Sequence, residues 1–443
     1  MLRPLPSPAT PTGSAPNPAS PQWHAADAAR RADATELAEL LRASRARTLA
    51  LADAYVAALG EGLAIPYSVQ CNPPLWELGH LAWFQEFWLA RNPQRAHGVL
   101  ADPLHPRTPS RVAQADAWYD SSAVAHALRW HLPLPDWHAT RAYLAAGLQD
   151  TLDLLQTAGE DDAALYFYRL ALFHEDMHGE AAVYMAQALG IAIPQTLLRP
   201  VTQPQGSTNP STSTNASTNA SASLRMDAAH WQLGHPPASE GGDGFAFDNE
   251  LGQHTVAVPA CALDVAPVTW AQYLAFVEAG GYAHAQWWTP EGWVWRQTQT
   301  QPWPRYLRPA ASVGAWEQQV FGQWLALDLQ ASACHLSYFE AQAWCHWAGR
   351  ALPTEAQWEH AALTRPDMHW GDVWEWTAST FAAYPGFVAH PYRDYSAPWF
   401  GSRPVLRGGS RATVGRMVHP RYRNYFTPER NDVGAGFRSY VLL

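Results

Sequence analysis

The chain has 443 residues, 47% of them hydrophobic and only 15% charged, which is enough for two packed domains. Its formal net charge of −10 argues against the basic face that a nucleic-acid partner would need. No apolar run reaches membrane-spanning length, and the four cysteines (Cys71, Cys261, Cys334, Cys345) form no CxxC pair, so a soluble, cytoplasmic protein with free thiols is expected.

Met1 to Gln22 is rich in Pro, Ser and Ala without a continuous apolar stretch. Residues 1–30 are therefore expected to be a disordered leader rather than a signal peptide. Asp33 and Glu36 make a capping box that opens a helix with Leu37, Leu41, Thr48, Leu51 and Tyr55 on one face. The next helix is punctuated by Asn72 as cap, Pro73 and Pro74 in its first turn and Asn92-Pro93 at its end. Trp76, His80, Trp83, Phe84, Phe87 and Trp88 fall on one face of it, so His80 lies in an apolar stripe. A third helical region is predicted over Asp116–Arg129, resuming at Pro135–Ala158. The fourth helix runs from about Asp161 to Leu189, with acidic residues at its start and Gly190 to end it. It is apolar almost all round and should be buried. Four long helices in residues 31–199 predict a bundle, an architecture that assembles metal sites from facing helices.

Residues 200–224 degenerate into Ser, Thr, Asn, Ala and Gln and read as a linker. Residues 225–443 change to short apolar runs with many Gly and Pro, an α+β domain rich in irregular backbone. Gly241–Glu250 is a polar loop before a strand at His254–Val258. Ser337 with Glu340, and Thr354 with Gln357, open two capped helices. Trp374–Ser379 and Leu406–Ser410 have strand-and-turn character. The 23 tryptophans read mainly as core, although aromatic faces also suit a quaternary ammonium group.

His174 and His178 are four apart on the fourth helix, hence on one face and able to share a metal ion. His80 is the natural third ligand, since neutral imidazole suits iron, copper, nickel or zinc. Glu180 lies about 200° round the helix from His178 and is expected outside the ligand set. His174-Glu175-Asp176-Met177-His178 also matches HExxH, the zinc-protease helix. Ala181 and Tyr184, however, stand where the extended motif needs a glycine and a third histidine, and apart from Glu180 no Glu or His follows within about 25 residues.

His174-xxx-His178-x-Glu180, with Pro74-Leu75-Trp76-Glu77-Leu78-Gly79-His80 upstream, resembles the DinB-like bundle of ergothioneine-pathway sulfoxide synthases. Gly242–Glu250, Leu352–Glu359, Trp374–Ser379, Leu406–Ser410 and Tyr422-Arg423-Asn424 resemble the formylglycine-generating-enzyme (sulfatase-modifying factor, C-type-lectin-like) domain that those enzymes carry. The resemblance implies non-haem Fe(II) on His80, His174 and His178, with O2 as co-substrate and hercynine, trimethylated histidine, accepting a chalcogen at its imidazole carbon. It implies a tyrosine proton donor, Tyr392 or in reserve Tyr395, and a hercynine contact from Asn424. Met177, Tyr425 and Phe426 occupy substrate-contacting positions where the mycobacterial-type enzymes have Gln, Trp and Asp. No arginines for an anionic dipeptide are evident around Trp118–Ser122. Together with Trp118–Trp130 and Tyr422–Val433, these departures resemble the selenoneine synthase subfamily, whose donor is a selenosugar. The alternatives are a sulfoxide synthase using cysteine or γ-glutamylcysteine, and a non-catalytic binding module; a Ca²⁺ in the acidic loops of the second half is a minor option. Formylglycine generation itself is not expected, because no cysteine follows Cys345.

Overall fold

The computed structural model describes residues 23–201 and 222–443, so the expected leader up to Gln22 and most of the expected linker lie outside the described residues. The first half carries α1 (His24–Arg31), α2 (Ala34–Leu59), α3 (Pro74–Gln85), α4 (Ala115–Tyr119), α5 (Trp137–Leu155) and α6 (Asp162–Leu189). Residues 24–31 are thus helical, not part of a disordered leader. The segment is anchored on the second half: Trp23 stacks near Trp370, and the buried Arg30 forks onto the buried Glu250 at 2.6 and 2.9 Å.

The capping box of α2 forms as predicted. Asn72, by contrast, does not cap α3. Pro73 holds the cap position without a side-chain bond, and Asn72 instead donates to Glu77 and accepts from Arg129 at 2.8 Å. α3 runs on into one π-helical turn, Glu86–Ala90. The predicted helix over Asp116–Arg129 is broken: α4 stops at Tyr119, residues 120–124 form turns, and only a 3-10 turn at His126–Trp130 follows. Asp120 accounts for the break, because its side chain bonds Ser122 through N–H and hydroxyl and so competes with the helix.

α2, α3, α5 and α6 pack as a four-helix bundle. One guanidinium ties all four. Arg45 of α2 donates to both oxygens of Glu175 in α6 at 2.8 and 3.0 Å, to Gln85 in α3 at 2.8 Å, and to the Leu144 carbonyl in α5. α6 begins at the Asp161 cap and ends in left-handed Gly190, as its sequence requires. It is apolar on more than one side because it has two neighbours, the bundle and the second half.

The second half contains β1 (Ser223–Met226), β2 (Ala229–Leu233), β3 (His254–Val258), β4 (Cys261–Asp264), α7 (Trp270–Glu278), α8 (Pro290–Thr298), β5 (Leu307–Pro309), β6 (Trp316–Val320), β7 (Gln323–Ala326), α9 (Tyr338–Ala348), α10 (Glu355–Thr364), β8 (Trp374–Thr380), β9 (Pro404–Gly408), β10 (Asn424–Tyr425), β11 (Ala435–Gly436) and β12 (Tyr440–Leu442). The expected caps of α9 and α10 are both complete capping boxes. β10-β9-β8-β11 is the central sheet, with Trp376 opposite Leu406 and Leu406 opposite Asn424. That register puts Asn424 and Tyr425 on an edge strand. Two of the three acidic residues of the Gly241–Glu250 loop are hydrogen-bonded: Glu250 by Arg30, and Asp248 by the Ser396 hydroxyl and the His390 N–H.

α6 is also the main seam between the halves. Glu180 accepts from the Trp374 indole at 2.6 Å and the Ser410 hydroxyl at 2.8 Å, and Asp176 accepts a fork from Arg416, both bonds 2.6 Å. Glu180 therefore has a docking role, consistent with its position away from the histidine face.

Candidate metal centre

His80 of α3 and His174 and His178 of α6 meet where the two helices cross, with one donor atom from each within 4.8 Å of the others. His80 and His174 approach through their Nε2 atoms, 3.3 Å apart. Metal–imidazole bonds of about 2.0–2.1 Å spanning 90–109° put donor nitrogens roughly 2.8–3.4 Å apart, so the spacing fits a shared cation.

The ring partners fix the orientation. His80 Nδ1 lies 2.7 Å from the Tyr119 carbonyl, which can only accept, so the proton is on Nδ1 and the Nε2 lone pair is free. Gly79 permits this contact, since a Cβ there would run into the Tyr119 ring. His178 Nδ1 is likewise bonded to the Glu77 carboxylate, which frees its Nε2. The His174 ring lies flat on Phe84, centroids 3.5 Å apart, and His80 stacks on Trp76 at 4.9 Å.

Burial holds two of the ligands, His80 and His174, neutral. Burial, reinforced by the charge at His178, pulls His80 down to about 3, and burial drives His174 well below its ordinary value. Burial alone would raise Glu77, but the charge and hydrogen bond of His178 outweigh it and hold the carboxyl at about 2. Three imidazole nitrogen donors backed by a carboxylate form a set that suits a borderline divalent transition metal. Glu175, the would-be base of the protease motif, is turned away and saturated by Arg45 and by the Thr48 hydroxyl at 2.8 Å.

In front of His174 and His178 opens a cavity of about 680 Å³, walled by both halves of the chain. His80 stays behind it, buried. Met177, Tyr392, Tyr395, Asn424, Tyr425 and Phe426 all line this cavity. The structure separates their circumstances. Tyr392 packs edge-on to His174 at 5.9 Å, and burial raises its hydroxyl pKa, so it stays protonated. Tyr395 is stacked on Phe247, and its hydroxyl donates to Tyr422 at 3.2 Å, which in turn donates to the Met177 sulfur at 3.3 Å. The Tyr425 hydroxyl is committed to the Tyr395 carbonyl. The aromatic wall is mainly tyrosine. Of the tryptophans only Trp399 reaches it, while Trp76, Trp270, Trp358, Trp374 and Trp376 are fully buried core.

Sequence reasoning missed Glu77, although it lies one turn before His80 on the same helix face, and it missed Tyr422. It also underestimated positive charge. Arg129 and Arg403 both line the cavity. Arg129 is engaged by Asn72 and by the Ser121 and Val124 carbonyls, whereas Arg403 has cation–π contacts to Trp399 and Tyr425 and, among the described residues, no salt bridge to a carboxylate. The thiols lie outside the cavity wall, and burial pushes Cys334 up to about 12.

The family profile of the sulfatase-modifying factor enzyme 1-like domain matches residues 210–368 and 365–441. The chain is 33% identical to the hercynine oxygenase of Mycobacterium tuberculosis over 91% of its own length and 98% of that protein. It is 30% identical to the hercynine oxygenase of Mycolicibacterium smegmatis over 91% and 97%, respectively. It is also 27% identical to the formylglycine-generating enzyme of Streptomyces coelicolor, over 44% of this chain and 83% of that one. The protein is therefore an oxidoreductase rather than a binding module. It belongs to the hercynine oxygenase family, with a sulfatase-modifying factor enzyme 1-like domain as its second half. Among the described residues, no helix is long and apolar enough to cross a membrane.

Proposed function

We propose that the chain is an Fe(II)- and O2-dependent enzyme that joins selenium from a selenosugar to the imidazole carbon of hercynine, O2 taking up the electrons released as the C–H proton leaves, with selenoneine following once the selenium–sugar bond is cleaved. The observation that carries this reading is the convergence of three oriented imidazoles beneath a tyrosine-walled cavity, in a chain that matches hercynine oxygenases over nearly its whole length. His80, His174 and His178 would hold the iron, which when bound supplies the one-electron chemistry with O2 that C–Se bond formation requires.

The remaining roles belong to the chain. Tyr392, Tyr395, Tyr425 and Phe426 offer π faces to a trimethylammonium group, and Asn424 offers an amide to the imidazole. Tyr392 is the proton donor: it is the tyrosine packed against His174, while the Tyr395 proton is held by Tyr422. Burying both substrates in one cavity supplies proximity. Ser121, Ser122 and Asp394 on the same wall suit the hydroxyls of a sugar. Asp394 has the charge of Asp120 beside it, which would repel a second carboxylate.

One observation favours the sulfur reading: the guanidinium of Arg403 lines the cavity without a salt bridge to any carboxylate among the described residues, and can pair with one carboxylate of a thiol such as cysteine or γ-glutamylcysteine. A competition assay decides between them. Anaerobically Fe(II)-loaded protein is given O2, hercynine and an equal mixture of selenosugar, cysteine and γ-glutamylcysteine, and the products are read by mass spectrometry. Selenoneine should dominate; exclusive consumption of a thiol would sink the selenium version.

A further inference from the structure

A second, smaller cavity of about 80 Å³ lies within the bundle, between α2, α3 and α6. Leu51 and Ala52, Leu78 and Leu81, and Ala182 and Met185 supply its apolar walls. Most of the polar side chains reaching it already have a protein partner. The Tyr55 hydroxyl donates to the Ala182 carbonyl at 2.6 Å, the Thr48 hydroxyl to Glu175 at 2.8 Å, and Gln70 accepts from Arg305 at 3.1 Å. Glu77 is taken by His178 and Asn72.

A void of this kind gives water little to bond to. Apolar cavities without free polar partners stay dry and take up xenon or small apolar molecules. A water needs roughly 10–15 Å³ of such space, so the cavity has room for a few diatomic molecules but none for a trimethylated amino acid or a sugar. Its position is equally specific. His178, Ala181 and Tyr184 belong to the walls of both cavities, so one layer of side chains separates the small void from the large one.

We propose that this cavity is a dioxygen pocket that holds the gas beside the three-histidine pocket, on the side away from the organic substrates. The proposal rests on the reading of the chain as O2-dependent. It gives the two reactant classes separate approaches: polar substrates from between the halves, the apolar gas from within the bundle.

Xenon is the probe. Crystals of the full-length protein, prepared without metal and pressurised with xenon, are expected to show a xenon atom between Leu51, Leu81 and Met185; ordered water there with no xenon overturns the proposal. Ala52→Leu then fills the void from α2 without touching a histidine. Its KM for O2 should rise several-fold while its KM for hercynine stays put. An unchanged KM for O2 in a variant whose crystal structure shows the void filled also overturns it. The two readings fail separately. Xenon in the cavity of a protein that does not turn over hercynine sinks the substrate reading and leaves the gas site standing, whereas a xenon-free cavity in a hercynine-consuming enzyme sinks only the gas site.

Discussion

The carboxylate of Glu77 in α3 accepts a hydrogen bond from Nδ1 of His178 in α6, so one carboxylate joins the two helices that carry the three histidines. A bond of this type fixes both the tautomer and the direction of the ligand nitrogen. Glu77→Gln keeps the shape but loses the charge, and it should lower metal affinity about 10–100-fold. Iron and zinc content after dialysis against a chelator series measures this directly, and an unchanged affinity would mean that packing alone orients His178.

Tyr392 and Tyr395 should respond differently to loss of their hydroxyls. Tyr392→Phe is expected to slow product formation by roughly 10²–10⁴-fold, with metal content and hercynine affinity preserved. Tyr395→Phe removes only the bond to Tyr422 and should cost about 0.5–1.5 kcal/mol of stability with a near-normal rate. Single-turnover kinetics beside urea denaturation separates the two, and the reverse pattern would reassign the donor.

Arg45 is the bundle's common partner, bonded to Glu175, Gln85 and Leu144 on three other helices. Arg45→Met fills the volume but strands the Glu175 charge, which should cost about 3–5 kcal/mol. Chemical denaturation of the metal-free protein gives the number, and a neutral substitution would show that Thr48 alone can satisfy Glu175.

How much of this could be seen in the chain beforehand varied with the physics involved. Helices with self-contained signals were legible: the Asp33–Glu36 box of α2, the Asp161 start and Gly190 end of α6, and the Ser337 and Thr354 boxes of α9 and α10 all form. The convergence of His80 with His174 and His178 was legible too, because helix periodicity puts all three on inward faces. Asn72 misled because its amide is taken up by Glu77, in the first turn of the helix, and by Arg129, which only the fold brings close. The Asp116–Arg129 stretch misled because Asp120 and Ser122 bond locally. Arg403 was invisible as a cavity residue, since it enters the wall from a loop nearly three hundred positions after Ser121 in the chain.

Acid should destabilise the metal-free protein. Burial lowers His80 to about 3 (helped by the charge at His178) and lowers His335 and His390 to about 4 each. Between these values and the ordinary histidine pKa of about 6.5, the unfolded chain binds protons that the folded one refuses, so stability falls as pH falls through that window. Each imidazole contributes at most about 1.4 kcal/mol per pH unit. Thermal melts from pH 7 to pH 4 should show a steadily falling Tm, and bound metal should flatten the share due to His80. A flat profile for the apoprotein would mean that these rings are protonated in the native state.

The short first helix has a practical consequence for anyone recombining such enzymes. Residues 23–31 come before the bundle in the chain, yet they lodge on the far half through the Arg30–Glu250 fork, the Phe245 N–H bonded to the Arg30 carbonyl at 2.8 Å, and the Trp23–Trp370 stack. A chimera spliced between residues 201 and 222 would take this helix from one parent and its seat from the other. Swapping catalytic halves cleanly therefore requires a second crossover near Ala32, so that the opening segment travels with the C-terminal portion it clasps.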